Sequence, residues 1–250
     1  MLPVLLDLPF FTLYSYPLFM GLAWGIGYYL TDSIFYKKKI NQVNLIHLFI
    51  GLFASTWIGA KVFFLIFSSN NQFYSHLNSE SFWLGGGFVF YGGLIFGLIF
   101  YMIYSLILKK FPFQYTGYLS PGLVFGHAIG RFGCFLAGCC FGRQCDLPWA
   151  ITVHGQSVHP VQLYESLGLV IIGLVMLKLI KSAINAYSIL GIYLLSYSIL
   201  RFTIEFYRGD VVRGVYQNTL STSQIISLVL FLIGAALVIG KRLSNDESNS

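Results

Sequence analysis

The stretch LIHLFIGLFASTWIGAKVFFLIF, residues 45–67, settles the class of fold, because a single charge, Lys61, interrupts its apolar run. A helix of roughly 20 such residues covers the hydrocarbon core of a bilayer. A barrel strand would be about ten residues long and would alternate in polarity, which this stretch does not do. Working outward, six further apolar runs lie near Tyr16–Phe35, Phe88–Leu108, Leu119–Phe141, Gln162–Leu179, Ser188–Phe206 and Ser221–Ile239. Several contain glycine, which membrane helices tolerate well. The 250 residues are 56% hydrophobic and 10% charged, with mean hydropathy +0.73. A soluble domain carries about 25% charged residues. A soluble enzyme, a secreted disulfide scaffold and a disordered chain are excluded. The expected fold is an all-α integral membrane protein of seven transmembrane helices.

The formal net charge of +6 is ambiguous until its positions are read. Lys37, Lys38 and Lys39 follow run one, and Lys109 and Lys110 follow run three. Lys178 and Lys181 close run five, and Lys241 and Arg242 follow run seven. With seven alternating spans these cations share one side, which the positive-inside rule makes cytoplasmic. The N-terminus is then outside and the C-terminus inside, and nothing points to nucleic acid. No cationic leader or small-residue cleavage site precedes run one, so no cleaved signal peptide is expected. The expected organisation is one membrane domain over residues 1–242, with a short external segment at 143–158. A polar, disordered tail is expected at 243–250.

Six cations do not fit the orientation pattern: Lys61, Arg131, Arg143, Arg201, Arg208 and Arg213. Arginine presents a planar fork suited to phosphate or carboxylate. An ionisable residue inside a span marks a functional site by default, since inserting it is costly. Ion pairing with Glu165, Glu205 or Asp146 is the plainer reading and is preferred for Arg208 and Arg213; function is preferred for Arg131 and Arg201.

Five sequence constellations bear on chemistry. In run four, Gly122, Gly126 and Gly130 recur every four residues, the spacing that brings two helices close. On the same helix His127, Arg131, Cys134 and Gly138 form a second stripe, an anion pocket beside a candidate proton acceptor. In run six Tyr197, Arg201, Glu205 and Arg208 recur as one polar stripe, which must turn away from lipid. Pro160 suits the first turn of a helix, which sets His159 at the external mouth of run five. Gly85–Gly87 and Gly92–Gly93 flank Tyr91, where a bent segment lets backbone approach a ligand. Cys134, Cys139, Cys140 and Cys145 lie within twelve residues. Packing, a disulfide or redox role, and a metal stay open for them. Their spacing is not a usual zinc pattern, and no metal ligand is assigned.

Taken together, the ordered motifs resemble the bacterial prolipoprotein diacylglyceryl transferase family. They are Phe90-Tyr91-Gly92-Gly93, Gly130-Arg131-Phe132-Gly133-Cys134-Phe135 with Gly142-Arg143, His159-Pro160-x-Gln162-Leu163-Tyr164-Glu165, and Arg201-x3-Glu205-Phe206-x-Arg208. The resemblance implies a bacterial inner-membrane enzyme that uses no cofactor. Its substrates would be phosphatidylglycerol, a membrane lipid, and a prolipoprotein signal peptide. It would move diacylglycerol to the lipobox cysteine as a thioether and release glycerol phosphate. Arg131 and Arg201 match the family's essential arginines, and Tyr91 and His127 complete the expected catalytic set. Tyr16, Gly92, Gly93, Gly142, Arg143, His159, Gln162, Tyr197 and Glu205 are the expected substrate-binding residues.

The departures are specific. Tyr91 stands where many members have histidine, Cys134 and Ala137 replace asparagines, Cys139 replaces a glutamate and Gly117 an aspartate. A tyrosine titrates near pH 10, so Tyr91 suits hydrogen bonding to phosphate better than proton abstraction. His127 or His159 is the candidate replacement base. Two rival readings follow: a phospholipid-dependent transferase with another acceptor, or a non-catalytic lipid-binding or thiol-redox membrane protein. A transporter is disfavoured because the halves show no internal repeat.

Overall fold

A computed structural model describes residues 2–8, 10–40, 43–67, 89–153, 155–182, 184–209, 215–216 and 220–247. Gly85–Gly87 and Arg213 lie outside the described residues. Seven long helices occur among those described: α1 (Ser15–Lys37), α2 (Leu45–Phe67), α3 (Phe90–Met102), α4 (Thr116–Ala137), α5 (Val161–Lys181), α6 (Ala186–Glu205) and α7 (Thr222–Glu247). Each overlaps one of the seven apolar runs. The protein is therefore mostly helical, as the runs predict. Among the described residues four stretches are long and apolar enough to cross a membrane: Leu45–Ile66, Val161–Lys181, Ala186–Glu205 and Thr222–Gly240. The helix from Tyr91 to Ile107 is apolar but shorter, its last residues forming a π-helical turn, Ile103–Ile107. Tyrosine, tryptophan and glycine dilute α1, and His127, Arg131 and five glycines dilute α4.

The apolar side chains face outward to a degree that water would not tolerate. Ile50, Ile66, Leu167, Ile171, Leu174 and Leu232 are all exposed, while Lys61, Gln162, Glu165 and Arg201 are buried. This inversion is expected of a chain whose solvent is lipid and whose polar groups must be satisfied internally.

Two compact units make up the chain, residues 32–113 and residues 1–31 with 114–250. In the first, α2 and α3 pack through glycine. A Cβ on Gly59 would lie 2.4 Å from the Gly92 carbonyl, and one on Gly92 would lie 2.3 Å from the Gly59 carbonyl. Only hydrogen fits at either position. Phe35 and Phe111 fill the interior of this unit.

In the second unit the glycine stripe of α4 meets α1. A Cβ on Gly122 would lie 2.4 Å from the Gly27 carbonyl, and one on Gly126 would lie 3.0 Å from the Ala23 carbonyl. Gly191 of α6 and Gly234 of α7 approach each other in the same way. The stripe is thus used for packing, as its spacing predicts. Val124, Leu169, Met176 and Ile189 form the apolar interior.

Among the described residues three short antiparallel ladders, which the apolar runs do not predict, supplement the helices. They pair β1 (Val4–Leu8) with β2 (Phe11–Tyr14), β3 (Ile151–Val153) with β4 (Gln156–Val158), and β5 (Val215–Tyr216) with β6 (Leu220–Ser221). Each is too short to display a period of two. The second occupies the segment between α4 and α5. Helix α4 stops at Ala137, before the expected Phe141, because Gly138 turns left-handed at φ 73°. A glycine adopts that conformation without steric cost and ends a helix.

Candidate active site

The site is built on α4, α5 and α6 of the second unit. His127 and Arg131 stand one helical turn apart on α4, and both reach one carboxylate on α5. Glu165 Oε1 lies 3.6 Å from His127 Nε2, and Glu165 Oε2 lies 3.0 Å from Arg131 Nε. Glu165 is only 1% exposed. A buried carboxylate is tolerable only when paired. The next α5 residue secures the register, since the Ser166 hydroxyl donates to the Ala128 carbonyl at 2.9 Å.

Helix α6 contributes the third side. The Tyr197 ring meets the His127 ring edge-to-face at 5.4 Å between centroids. Arg201, one turn on, pairs with Glu205 at 2.7 Å and donates to the Ser223 hydroxyl of α7 at 2.9 Å. Among the described residues Arg201 Nη1 is buried and has no hydrogen-bond partner. Glu165 also lies in the electrostatic field of Arg201 and Arg208. The guanidinium groups of α4 and α6 therefore act on a common centre. The stripe Tyr197, Arg201, Glu205 turns inward as its spacing predicts; Arg208 lies past the helix end, where its backbone bridges to Gly142.

The mouth above these helices is framed by backbone and aromatic rings. Gly142 N–H donates to the His159 carbonyl at 2.9 Å, His159 N–H to the Arg143 carbonyl at 3.0 Å, and Arg143 N–H to the Tyr207 carbonyl at 2.9 Å. The Trp149 indole donates to the Tyr164 hydroxyl at 2.8 Å, and His159 Nδ1 lies 3.4 Å from that hydroxyl. With Leu147 and Tyr207 these three line an open cleft of about 450 Å³. Burial, with the nearby Arg143 guanidinium, holds the His159 imidazole below its ordinary pKa. Arg143 itself stacks over Tyr207, 5.9 Å from the ring centre. Gln162 is buried and donates to the Cys139 carbonyl at 2.6 Å, tying α5 to the loop after α4.

This arrangement presents guanidinium forks, an imidazole and a carboxylate inside an apolar bundle, which suits a phosphate-bearing lipid. A profile of prolipoprotein diacylglyceryl transferases matches residues 3–240. The chain belongs to the prolipoprotein diacylglyceryl transferase family. It is 31% identical over 230 residues to the phosphatidylglycerol–prolipoprotein diacylglyceryl transferase of Finegoldia magna, covering 90% of this chain and 89% of that protein. The Streptococcus uberis transferase of the same name is 31% identical over 253 residues, covering 96% and 95%. That of Clostridium tetani is 28% identical over 241 residues, covering 94% and 95%. Family membership makes the chain a transferase and a multi-pass membrane protein.

The transferase motifs come together unevenly. Arg131, His127, Tyr197, Arg201 and Glu205 meet at the α4–α5–α6 centre, and Gly142, Arg143, His159 and Gln162 form the mouth. Tyr16, at the start of α1, lies within electrostatic reach of Arg131 and of Cys134, Cys139 and Cys140. Tyr91, Gly92 and Gly93 open α3 of the other unit, where Tyr91 is 45% exposed. The two glycines are accounted for by packing on α2: a Cβ on Gly93 would lie 3.0 Å from the Thr56 carbonyl.

Glu165 is the residue that sequence reasoning undervalued. The sequence shows it as a motif member and a possible partner for an arginine, yet it holds both His127 and Arg131. The signal was present, since Glu165 and Glu205 are the carboxylates of α5 and α6. What no single sequence supplies is the register of α5 against α4.

Gly142 shows why this transferase motif needs glycine. A Cβ there would lie 2.5 Å from the Tyr207 carbonyl, 2.7 Å from His159 Cβ and 2.8 Å from Val161 Cγ1. Gly142→Ala is expected to destabilise the protein by about 1–3 kcal/mol through overpacking. Thermal unfolding in detergent checks this, and an unchanged midpoint would show that the mouth yields freely.

Proposed function

We propose that this protein transfers the diacylglyceryl group of phosphatidylglycerol to the lipobox cysteine of prolipoproteins in the bacterial inner membrane. In this reading α1–α7 all cross the bilayer, with the N-terminus outside and the C-terminus in the cytoplasm. The observation that carries it is the pair of inward-facing arginines on α4 and α6, the half-buried Arg131 and the buried Arg201. Their charges act on one carboxylate, and a buried Arg201 N–H remains to be satisfied.

The lipobox thiol gives up its proton and its sulfur attacks the glyceryl carbon that bears the phosphate. The carbon–sulfur bond forms as the carbon–oxygen bond breaks, and glycerol phosphate leaves with the electron pair. Negative charge grows on the departing phosphate, where Arg131 and Arg201 stand. Donors fixed in advance in a water-poor site stabilise such charge by several kcal/mol. A free thiol titrates near pH 8.5, so proton removal needs an acceptor. His127 is that acceptor in this proposal. Its Nε2 faces Glu165, which favours the tautomer protonated there and leaves Nδ1 free to take a proton.

The test is reconstitution of the full chain in phosphatidylglycerol vesicles with a lipobox peptide, assaying glycerol phosphate and lipidated peptide together. Both products should appear in equal amounts. Arg201→Ala should lower both by about 10²- to 10³-fold, the cost of removing a donor to developing charge. Lipid turnover without peptide modification would instead indicate another acceptor. No turnover where the Streptococcus uberis relative works would overturn the catalytic reading.

A further inference from the structure

The cysteines of the α4 terminus converge in a way the proposed transfer does not use. Cys134 lies in the last turn of α4, Gly138 reverses the chain at φ 73°, and Cys140 adopts φ 62°. A non-glycine residue in that region is uncommon, and such conformations concentrate at functional sites. The double reversal curls Cys139 and Cys140 back beneath Cys134, and the Cys139 thiol points to the Cys134 carbonyl at 3.6 Å. All three Sγ atoms lie within 4.8 Å of one another. Cys145, the fourth cysteine, is not part of the group.

We propose that Cys134, Cys139 and Cys140 bind one thiophilic d10 cation, Zn(II) or Cu(I), as a three-thiolate clip across the C-terminal end of α4. An ion held at about 2.3 Å from each sulfur sets the sulfurs roughly 3.8–4.0 Å apart. The sulfurs, within 4.8 Å of one another, need draw together by at most about 1 Å. Soft thiolates select these ions over magnesium or calcium. A disulfide would join two of the sulfurs and leave the third unused, whereas mutual convergence of three is the geometry of a shared ion.

Binding replaces three S–H bonds by three sulfur–metal bonds and releases three protons to solvent per ion, with no change of oxidation state. The resulting anionic centre is offset by Arg131, which lies in the electrostatic field of Cys134 and Cys140. Cys139 is exposed, giving the ion a way in. The clip would also fix the loop that receives Gln162, since that side chain donates to the Cys139 carbonyl.

The experiment uses the full chain, purified in detergent under reducing conditions and free of chelator. Titration with Cd(II), a d10 probe, should raise a sulfur-to-metal charge-transfer band that saturates at one ion per chain. Cys140→Ser should weaken Cd(II) binding by about tenfold or more, and Cys145→Ser should leave it unchanged. In the unsubstituted protein, Zn(II) or Cu(I) should slow alkylation of Cys134, Cys139 and Cys140 about tenfold, reversibly with chelator, and spare Cys145. That arm decides the matter should a serine variant fail to fold, and it separates the two ions. Equal protection of Cys145, absence of a saturating band, or a disulfide between Cys134 and either neighbour in the reduced-purified protein would each overturn the proposal.

Discussion

Arg131→Ala is expected to lower transfer from phosphatidylglycerol by at least about 10³-fold, for two separable reasons. The first is chemical: the guanidinium fork that stabilises the departing phosphate is gone, and one such donor is worth about 10²–10³ in rate. The second is structural. Arg131 Nε is 3.0 Å from Glu165 Oε2, and Glu165 is buried, so its removal strands a charge. Breaking a buried pair from one side costs roughly 3–5 kcal/mol. Lysine separates the two effects. Arg131→Lys keeps a positive charge for Glu165 but presents a point where a fork is needed. Its thermal stability should stay near that of the unsubstituted protein while the rate falls about 10²-fold. Adding Glu165→Gln to Arg131→Ala should restore stability without restoring rate. Glycerol phosphate release and unfolding midpoints measure the two axes independently. A folded Arg131→Ala protein that kept a tenth of its activity would remove Arg131 from the chemistry.

Arg131 stands out in the sequence and its partner Glu165 does not, because composition is written along the chain and helix register is not. Arg131 and Arg201 are conspicuous because each interrupts an apolar helix, and lipid makes such an exception expensive. The seven helices are legible for the same reason, as long runs of apolar residues with cations at alternate ends. The apolar run continues to Phe141, but α4 ends earlier because Gly138 stops the helix by turning left-handed. A local backbone signal outweighs composition there. The β3–β4 hairpin, with three residues in each strand, offers no periodicity to detect. Glu165 and Gln162 were visible as motif members, but their partners are set by how α5 slides and rotates against α4. Ser166 on the Ala128 carbonyl fixes that register, and it is a contact between residues 38 apart in sequence. Long-range registers of this sort are properties of the packed bundle rather than of either helix.

That register gives the second large prediction, Glu165→Gln. Glutamine keeps the shape of the side chain but replaces two equivalent acceptor oxygens by one acceptor and one donor. The carboxylate serves His127 through Oε1 at 3.6 Å and Arg131 through Oε2 at 3.0 Å. The amide cannot accept from both. If its oxygen stays with Arg131, its NH2 confronts His127 Nε2 and draws the imidazole lone pair to that atom. Nδ1 then carries the proton and can no longer accept one from the lipobox thiol. If the amide flips, Arg131 faces a donor and the phosphate clamp loosens instead. Either outcome removes the carboxylate charge that would balance an imidazolium. The expected loss is about 10²–10⁴ in kcat, the range for a displaced general base. His127→Gln should cost a similar factor while leaving KM for phosphatidylglycerol within about threefold, since that change does not touch the arginines. The double variant Glu165→Gln/His127→Gln decides whether the two act together. Groups that work as one unit are strongly non-additive, so the double variant should be no slower than the slower single variant. Losses that multiply would mean that Glu165 supports Arg131 alone, and an unchanged rate in His127→Gln would move proton acceptance elsewhere, with His159 at the mouth the next residue to replace.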